Sequence, residues 1–185
     1  PEMIERGLRK KFFKYKICTI HAFCRSKLLK KELISYADYL NLGAENSGFK
    51  AQRTTLSEFN NNKHKFFKFL NDAFGQGKTI KEHWNSLRET SSAYHPYNNF
   101  RMISEMKEVY DNYKQVNQMC DYDDMIADFI NNAVDPDIDV LIVDEAQDSN
   151  VPQLQALEKM STNVKEYYMV GDADQTIFEF AGANA

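Results

Sequence analysis

The chain has 185 residues, 43% of them hydrophobic and 27% charged, with a formal net charge of −4. This length and apolar content are enough for one or two compact domains with a hydrophobic core. No run of about 18 apolar residues occurs and the first residues are charged, so we expect neither a membrane span nor a secretory signal. The three cysteines are scattered without a zinc-binding spacing, and they suit ordinary packing in a reducing compartment better than a disulfide framework.

Charge is distributed unevenly along the chain. Residues 1–35 contain ten Lys and Arg against three Asp and Glu, whereas residues 119–185 contain two Lys against fifteen Asp and Glu. A local basic face can bind nucleic acid in an acidic protein, and an acidic end is typical of a metal-dependent site. A solvated surface explains the same pattern, and charge by itself favours that interpretation.

The first two thirds of the chain predict one short strand followed mostly by helix. Residues 16–20 form a short apolar run typical of a buried strand, and a helix is expected over residues 22–39. Residues 42–53 contain two glycines and several polar residues, which predict a loop. Apolar residues then recur at helical spacing and predict four helices, at 57–74 with Ser57 as N-cap, 80–89, 98–119 and 122–133.

The final third predicts a strand–helix–strand unit. Val140–Val143 is a continuous apolar run, as expected for a strand buried on both faces of a parallel sheet. An amphipathic helix over 152–160 and a second buried strand over 167–170 complete a βαβ unit. Ligands bind at the carboxyl ends of the strands in such sheets. Both strands run into acidic sequences, so a site is expected at that edge.

The first of these strands is followed by Asp144 and Glu145. A carboxylate at the end of a buried strand can hold Mg²⁺ beside nucleotide phosphates, and a neighbouring glutamate can polarise the attacking water. The alternative is that the acids belong to a helix cap, with Asp148 or Asn150 accepting backbone N–H groups. For an isolated Asp-Glu pair, the cap is the commoner case.

The second strand is followed by Gly-Asp-Ala-Asp-Gln at residues 171–175. Gly171 allows a tight turn, and Gln175 is an uncharged side chain that can reach a terminal phosphate. Taken alone, this segment is only a turn. Two neighbouring strands that end in these two sequences together indicate a nucleotide site.

Five segments, in order, resemble the motifs of UvrD/Rep-type superfamily 1 DNA helicases. V-D-E-A-Q-D at 143–148 resembles motif II (Walker B), and V-G-D-A-D-Q-T-I-F-E-F-A-G-A at 170–183 resembles motif III. C-T-I-H-A-F at 18–23 resembles motif Ib, and D-Y-D-D-M-I at 121–126 resembles a segment upstream of motif II. E-M-I-E-R at 2–6 resembles the end of motif Ia. The resemblance covers nearly the whole chain.

This resemblance implies an α/β fold: a partial RecA-like parallel sheet, from the first motor domain of a P-loop helicase, with a large α-helical insertion. Residues 1–24 and 134–185 would belong to the motor domain, and residues 25–133 mostly to the insertion. The phosphate loop would lie upstream of Pro1 and the second motor domain beyond Ala185.

A tempting Gly-Gln-Gly-Lys-Thr sequence occurs at residues 75–79. The phosphate-loop pattern requires a glycine at position 72, which is Asp72, and a preceding strand, whereas a helix is predicted there. In addition, the family places its phosphate loop upstream of motif Ib, not downstream of it. We therefore expect a helix-terminating turn.

By the same resemblance, the full protein would be an ATP-dependent DNA helicase or translocase that uses ATP and Mg²⁺. Asp144 would hold the metal, Glu145 would activate water and Gln175 would sense the γ-phosphate, so that all three contact the nucleotide. The partners implied are single-stranded DNA and junctions of single- and double-stranded DNA.

The resemblance also implies a DNA-binding set. Thr19, His21 and Phe23 would contact DNA from motif Ib, and Phe180 would stack on a base, which suits sequence-tolerant binding of single strands. A core position for Phe180 and a structural role for His21 remain open. Ala181 stands where the family usually has Arg, and Phe178 stands where it often has Tyr. These differences leave open how ATP hydrolysis is coupled to movement on DNA.

Two other functions are compatible with the sequence. A helicase-like module without turnover would bind single-stranded DNA or a partner, and the retained Asp144, Glu145 and Gln175 argue against it. A nuclease–helicase fusion would need motifs outside these residues. Residues 1–185 alone are expected to be monomeric and cytoplasmic, of bacterial or phage-like type, and to bind single-stranded DNA weakly without hydrolysing ATP.

Overall fold

A computed structural model describes residues 15–27, 32–34, 56–90, 100–132 and 137–172. This part of the chain is a mixed α/β structure with two short parallel sheets and six α-helices. None of the helices within these ranges is long and apolar enough to cross a membrane.

The helices are α1 (Ile20–Lys27), α2 (Leu56–Gly75), α3 (Ile80–Thr90), α4 (Phe100–Val116), α5 (Tyr122–Asn132) and α6 (Val151–Ser161). The strands are β1 (Glu32–Leu33), β2 (Met119–Cys120), β3 (Val140–Val143) and β4 (Glu166–Met169). A short 3₁₀ helix, Ala146–Asp148, follows β3.

The helical periodicity from residue 56 onward predicted α2 to α6 within a few residues. Two boundaries differ. Ser57 lies inside α2, which begins at Leu56, so it is not the N-cap. Helix α4 ends at Val116 because Gln118 takes a left-handed backbone conformation with φ of 54°, and Met119–Cys120 then forms β2 instead of continuing the helix.

At the start of the chain, the predicted helix is confirmed over residues 22–27, but the predicted strand and the continuation of the helix were wrong. Residues 15–19 have no regular structure and are exposed, and Ile17 is 66% exposed, because no strand of the described ranges pairs with them. The helix expected to continue to residue 39 is replaced at Glu32–Leu33 by β1. This strand pairs in parallel with β2, Glu32 opposite Met119, so pairing with a distant segment overrides the local helical preference.

A first hydrophobic core joins α2, α3 and α4. Most of its buried members are aromatic, and α2 and α4 contact each other through rings packed edge to face. The centroids of the Phe66, Phe67 and Tyr110 rings are 4.9 to 6.5 Å apart. Such pairs add to the burial of apolar area. The buried residues of this core are Phe66, Phe69, Leu70, Trp84, Ile103, Met106 and Tyr110.

A second core joins α1, α5, α6 and β3. Its buried residues are Cys24, Cys120, Met125, Ile126, Phe129, Val143, Ala156, Leu157 and Met160. Two of the three cysteines therefore serve as packing residues, as expected. Burial raises the pKa of the Cys24 thiol to about 12, so this thiol stays protonated at neutral pH.

Strands β3 and β4 are parallel neighbours in register, with Val143 opposite Met169, as the βαβ prediction requires. The expectation that both are buried on two faces was wrong. Leu141 and Val143 face the helices, but Ile142 is 69% exposed and Tyr168 is 52% exposed. Helices α5 and α6 cover one face of the sheet only, and nothing in the described ranges covers the other.

The Gly75–Thr79 segment is a turn between α2 and α3, as predicted, and not a phosphate loop. Gly77 has φ of +64°, and a β-carbon at this position would lie 2.7 Å from Cγ1 of Val151. The turn therefore packs closely against the first residue of α6. The division into a motor domain and an insertion stays a prediction.

Candidate nucleotide and nucleic-acid site

The carboxyl ends of β3 and β4 meet at one edge of the sheet. The Val170 amide donates to the Val143 carbonyl at 2.8 Å, and the Ala146 amide donates to the Val170 carbonyl at 2.9 Å. The ladder thus continues past the last strand residues and joins the segment after β3 to the segment after β4. The two acidic sequences that were expected to share an edge do so.

Asp144 and Glu145 are both exposed at this edge. The adjacent Glu145 amide donates to Asp144 Oδ1 at 3.1 Å. Glu145 has φ of 53°, in the left-handed region that a non-glycine residue occupies at a cost of order 1–3 kcal/mol. Unfavourable backbone of this kind is typical of functional positions.

The side chain of Gln147 connects the two acidic segments. Its Nε2 donates to Glu145 Oε2 at 2.7 Å, and its Oε1 accepts the backbone amide of Asp172 at 3.0 Å. Gln147 is only 8% exposed, although its neighbours on this edge are open to solvent. Gly171 makes room for it, since a β-carbon there would lie 2.5 Å from Gln147 Oε1.

The alternative role for the acids, as part of a helix cap, can be compared directly with the structure. Asn150 caps α6: its side chain accepts the Gln153 amide at 3.1 Å, and Gln153 Oε1 accepts the Asn150 amide at 2.9 Å. This reciprocal arrangement is a capping box. The cap of α6 therefore uses neither Asp144 nor Glu145, which leaves both carboxylates available at the edge.

The donor set fits a magnesium ion that shares its coordination with a nucleotide. No group of three or more His, Cys, Asp or Glu side chains within the described ranges is arranged to enclose a metal. Mg²⁺ is commonly held by one or two carboxylates, with phosphates and water completing the octahedron. One or two exposed carboxylates beside a strand end match this requirement, whereas a self-sufficient metal cage would not be expected here.

Motif Ib begins helix α1. Thr19 Oγ1 accepts the Ala22 amide at 3.2 Å, which is the geometry of a helix N-cap. His21 is half-buried, with its ring edge-on to Tyr122 at a centroid distance of 5.4 Å. Burial lowers the pKa of His21, so its ring is neutral at pH 7 and can offer a hydrogen bond but no charge.

Phe23 is half-buried and packs edge-on against Phe129 of the second core, at 5.9 Å between centroids. The ammonium groups of Lys16 and Lys27 lie 5.5 and 5.7 Å from the centre of its ring. Phe23 thus lies between a lysine that precedes α1 and a lysine at the end of α1, and Arg25 adds a further exposed cation to that helix.

A buried ionic cluster was not anticipated from the sequence. Lys114 of α4 lies with its ammonium 2.8 Å from Asp121 Oδ2 and 2.9 Å from Asp124 Oδ1, and Tyr110 donates its hydroxyl to Asp121 Oδ2 at 2.8 Å. At the start of α5, the backbone amide of Asp121 also donates to the Asp124 carboxylate, and the backbone amide of Asp124 donates to the Asp121 carboxylate. The D-Y-D-D segment upstream of motif II therefore joins two helices through charge. The sequence showed the aspartates of this motif, but it did not show that Lys114 is their partner.

Several of the expected functional residues lie outside the described residues. These are Gln175, Phe178, Phe180, Ala181 and the 2–6 segment. Of the expected site, the structure therefore places Asp144 and Glu145 on one edge, and Thr19, His21 and Phe23 together at the start of α1.

The fold and the edge define an α/β protein with a parallel βαβ unit whose strands both end in acidic segments. A family model, the UvrD/REP helicase N-terminal domain, matches residues 2–185, and the chain belongs to this family. Membership indicates an ATP-dependent helicase that binds nucleotide and DNA. No curated protein matches the chain.

Proposed function

We propose that this chain forms the part of an ATP-dependent DNA helicase that handles Mg²⁺ and the attacking water. Asp144 is the metal ligand and Glu145 is the base that orients and deprotonates the water. Gln175 senses the γ-phosphate, and Phe180 stacks on a base of single-stranded DNA. These four roles follow the family resemblance of motifs II and III.

The observation that carries this proposal is the junction of the two strand ends. Asp144 and Glu145 are exposed there, the cap of α6 does not use them, and the Ala146–Val170 hydrogen bond fixes the backbone beside them at 2.9 Å. Open carboxylates positioned at a strand end suit phosphoryl transfer, since its catalysis consists mainly of positioning and electrostatic stabilisation.

Each carboxylate has a separate task in this scheme. Asp144 faces solvent, so one of its oxygens can enter the metal coordination sphere without loss of a buried contact. Glu145 presents its carboxylate from a backbone fixed in the left-handed region, with one oxygen held by Gln147 at 2.7 Å. The other oxygen is left to accept a proton from water. Bound Mg²⁺ supplies neutralisation of the charge on the phosphate oxygens.

The start of α1 forms the described part of the proposed DNA surface. Thr19, His21 and Phe23 lie within one turn of each other, and Lys16, Arg25 and Lys27 are exposed around them. Lys and Arg side chains bind phosphates with an affinity that falls as salt rises. This surface at the start of α1 is therefore suited to binding the phosphate backbone of a nucleic acid rather than a specific base sequence.

The decisive experiment measures ATP hydrolysis by the full-length protein that contains this chain, with and without single-stranded DNA. Wild type is compared with Glu145→Gln, which removes the base but keeps the size of the side chain, and with Glu158→Gln as a matched exposed control on α6. We expect DNA-stimulated turnover in wild type and in the control, and a loss of at least about 100-fold in Glu145→Gln with nucleotide binding retained. Wild-type turnover in Glu145→Gln would refute the role of Glu145.

A second function is a helicase-like module that binds single-stranded DNA without turnover. The observation in its favour is that the sole Gly-Lys-Thr sequence of the chain, at residues 77–79, is a turn between α2 and α3. The same experiment separates the two functions. DNA binding without any hydrolysis by the wild-type protein would establish the binding module and overturn the motor.

A further inference from the structure

The side-chain amide of Gln147 spans the two segments that the proposed function places around the nucleotide. Its Nε2 lies 2.7 Å from Glu145 Oε2, and its Oε1 lies 3.0 Å from the Asp172 amide nitrogen. Asp172 is in the Gly-Asp-Ala-Asp-Gln segment after β4, so one buried amide joins the proposed base to motif III.

The orientation of this amide is determined by its partners. The backbone amide of Asp172 can only donate, and so it requires an oxygen opposite it. The Glu145 carboxylate can only accept when ionised, and so it requires an N–H. An amide rotated by 180° would lose both hydrogen bonds, which leaves a single orientation compatible with the surroundings.

Three further features hold the bridge in place. Gln147 is 8% exposed, so its hydrogen bonds are shielded from water. The Ala146 amide donates to the Val170 carbonyl at 2.9 Å, which keeps the 3₁₀ helix against the exit of β4. Gly171 has no side chain to collide with the Gln147 amide group. A β-carbon at this position would lie 2.5 Å from Gln147 Oε1 and 3.1 Å from the Gln147 backbone nitrogen.

We propose that Gln147 is a positioning residue that makes the alignment of Glu145 depend on the position of the 171–172 backbone. This proposal rests on the proposed function of Glu145. When the backbone at Asp172 moves, Oε1 loses its donor, and the amide that holds Glu145 is no longer fixed. The position of motif III thereby affects the alignment of Glu145 through two hydrogen bonds, and Gln147 itself does not contact the nucleotide.

Two substitutions separate the two halves of the bridge. Gln147→Glu keeps an oxygen for the Asp172 amide but removes the donor to Glu145. Gln147→Met keeps the length of the side chain and removes both hydrogen bonds. Gln155→Met, on the exposed face of α6, is the matched control for the loss of an amide.

The first measurement needs neither nucleotide nor turnover. Hydrogen exchange of the Asp172 amide is followed in the full-length protein by mass spectrometry of peptides covering residues 169–174. We expect faster exchange in Gln147→Met and exchange within about twofold of wild type in Gln147→Glu and Gln155→Met. Unchanged protection in Gln147→Met would show that the bridge does not hold the segment and would overturn the proposal.

The second measurement is steady-state ATP hydrolysis with and without single-stranded DNA. We expect kcat to fall about 10- to 100-fold in both Gln147 variants, because the base is misplaced, with KM for ATP changed less than about threefold. The stimulation of kcat by DNA should also fall toward one in Gln147→Met. Loss of folding alone would lower the active fraction without changing that stimulation ratio.

The two proposals fail in different ways. Wild-type turnover in Glu145→Gln would overturn the proposed function, and the positioning role would fall with it. Wild-type kcat and DNA stimulation in Gln147→Met, beside an inactive Glu145→Gln, would overturn the positioning role alone. If Gln147→Met does not fold, Gln147→Glu still decides the question through its kcat.

Discussion

Lys114 places its ammonium group 2.8 Å from the carboxylate of Asp121, and this ion pair connects the end of α4 to the start of α5. The pair is largely buried, with the lysine side chain 10% exposed and the aspartate side chain 22% exposed. Burial by itself raises the pKa of Asp121, but the charge of Lys114 and the hydrogen bonds that Asp121 accepts together lower it. The pair therefore contributes stability above the ordinary pKa of 3.8, and this contribution is lost as the pH falls through the lower folded value.

Substitution of Lys114 by Met should destabilise the protein by about 3 kcal/mol, because it leaves the Asp121 and Asp124 carboxylates buried without their cation. Urea unfolding followed by circular dichroism measures this loss. The matched control is Lys68→Met, which removes an exposed pair with Asp72 and should change stability by less than about 0.5 kcal/mol. Equal effects of the two substitutions would contradict the importance of burial.

Asp123 should make stability depend on pH in the opposite direction. Burial, and then the charge of Asp121, raise its pKa from 3.8 to about 7. The folded state thus binds a proton that the unfolded state has released, and stability from this group declines as the pH rises toward and through about 7. The stability advantage of Asp123→Asn over wild type should be larger at pH 8 than at pH 5, by about 1–2 kcal/mol.

Denaturant unfolding at both pH values, with each variant compared with wild type in the same buffer, tests the Asp123 prediction. Contributions from titrating groups that do not interact with Asp123 cancel in that difference. A difference that does not change between pH 5 and pH 8 would show that Asp123 is ionised in the folded protein.

Gly77→Ala should destabilise the protein by about 2 kcal/mol or more. The residue has φ of +64°, which alanine adopts at a cost of about 1 kcal/mol, and its β-carbon would lie 2.7 Å from Val151 Cγ1. Thermal unfolding of Gly77→Ala, Val151→Ala and the double variant separates the two contributions. The double variant should recover the steric part but not the backbone part. If the losses of stability in the two single variants simply add in the double variant, the effect of Gly77→Ala comes entirely from the backbone conformation.

Thr19→Val should lower both helix stability and binding of single-stranded DNA. The substitution keeps the shape of the side chain but removes the hydroxyl that accepts the Ala22 amide, at an expected cost of about 1 kcal/mol. Thr19→Ser, which keeps the hydroxyl, is the control. Thermal unfolding measures the cap, and fluorescence anisotropy with a labelled oligonucleotide measures the DNA affinity, which we expect to fall about three- to tenfold in Thr19→Val only.

The sequence predicted best where local pattern and tertiary structure agree. The apolar spacing of α2 and α4 is helical because their aromatic faces pack on each other, so the pattern contains the information about the packing. The acidic strand ends at 144–145 and 171–172 were likewise expected to share an edge, because parallel strands joined by a helix must end on the same side.

The failures have a different cause. Glu32–Leu33 becomes a strand because it pairs with residues 119–120, and nothing in its own neighbourhood indicates a partner so distant in the chain. The apolar run at 140–143 indicates strand but not how many of its faces are covered. The Gln147 bridge depends on side-chain geometry between residues 25 positions apart, and a motif spacing does not show which atoms meet.

Because one face of β3 and β4 is uncovered, we expect this sheet to have a lower local stability than helices α5 and α6. The second core protects α5 and α6, whereas Ile142, Tyr168 and the rest of that face are open to water in the described part of the chain. Two-stranded sheets have little independent stability, and segments with few buried contacts open most readily. Asp144 and Glu145 directly follow β3 of this sheet, so a ligand that bridges the two strand ends should slow the opening of the sheet.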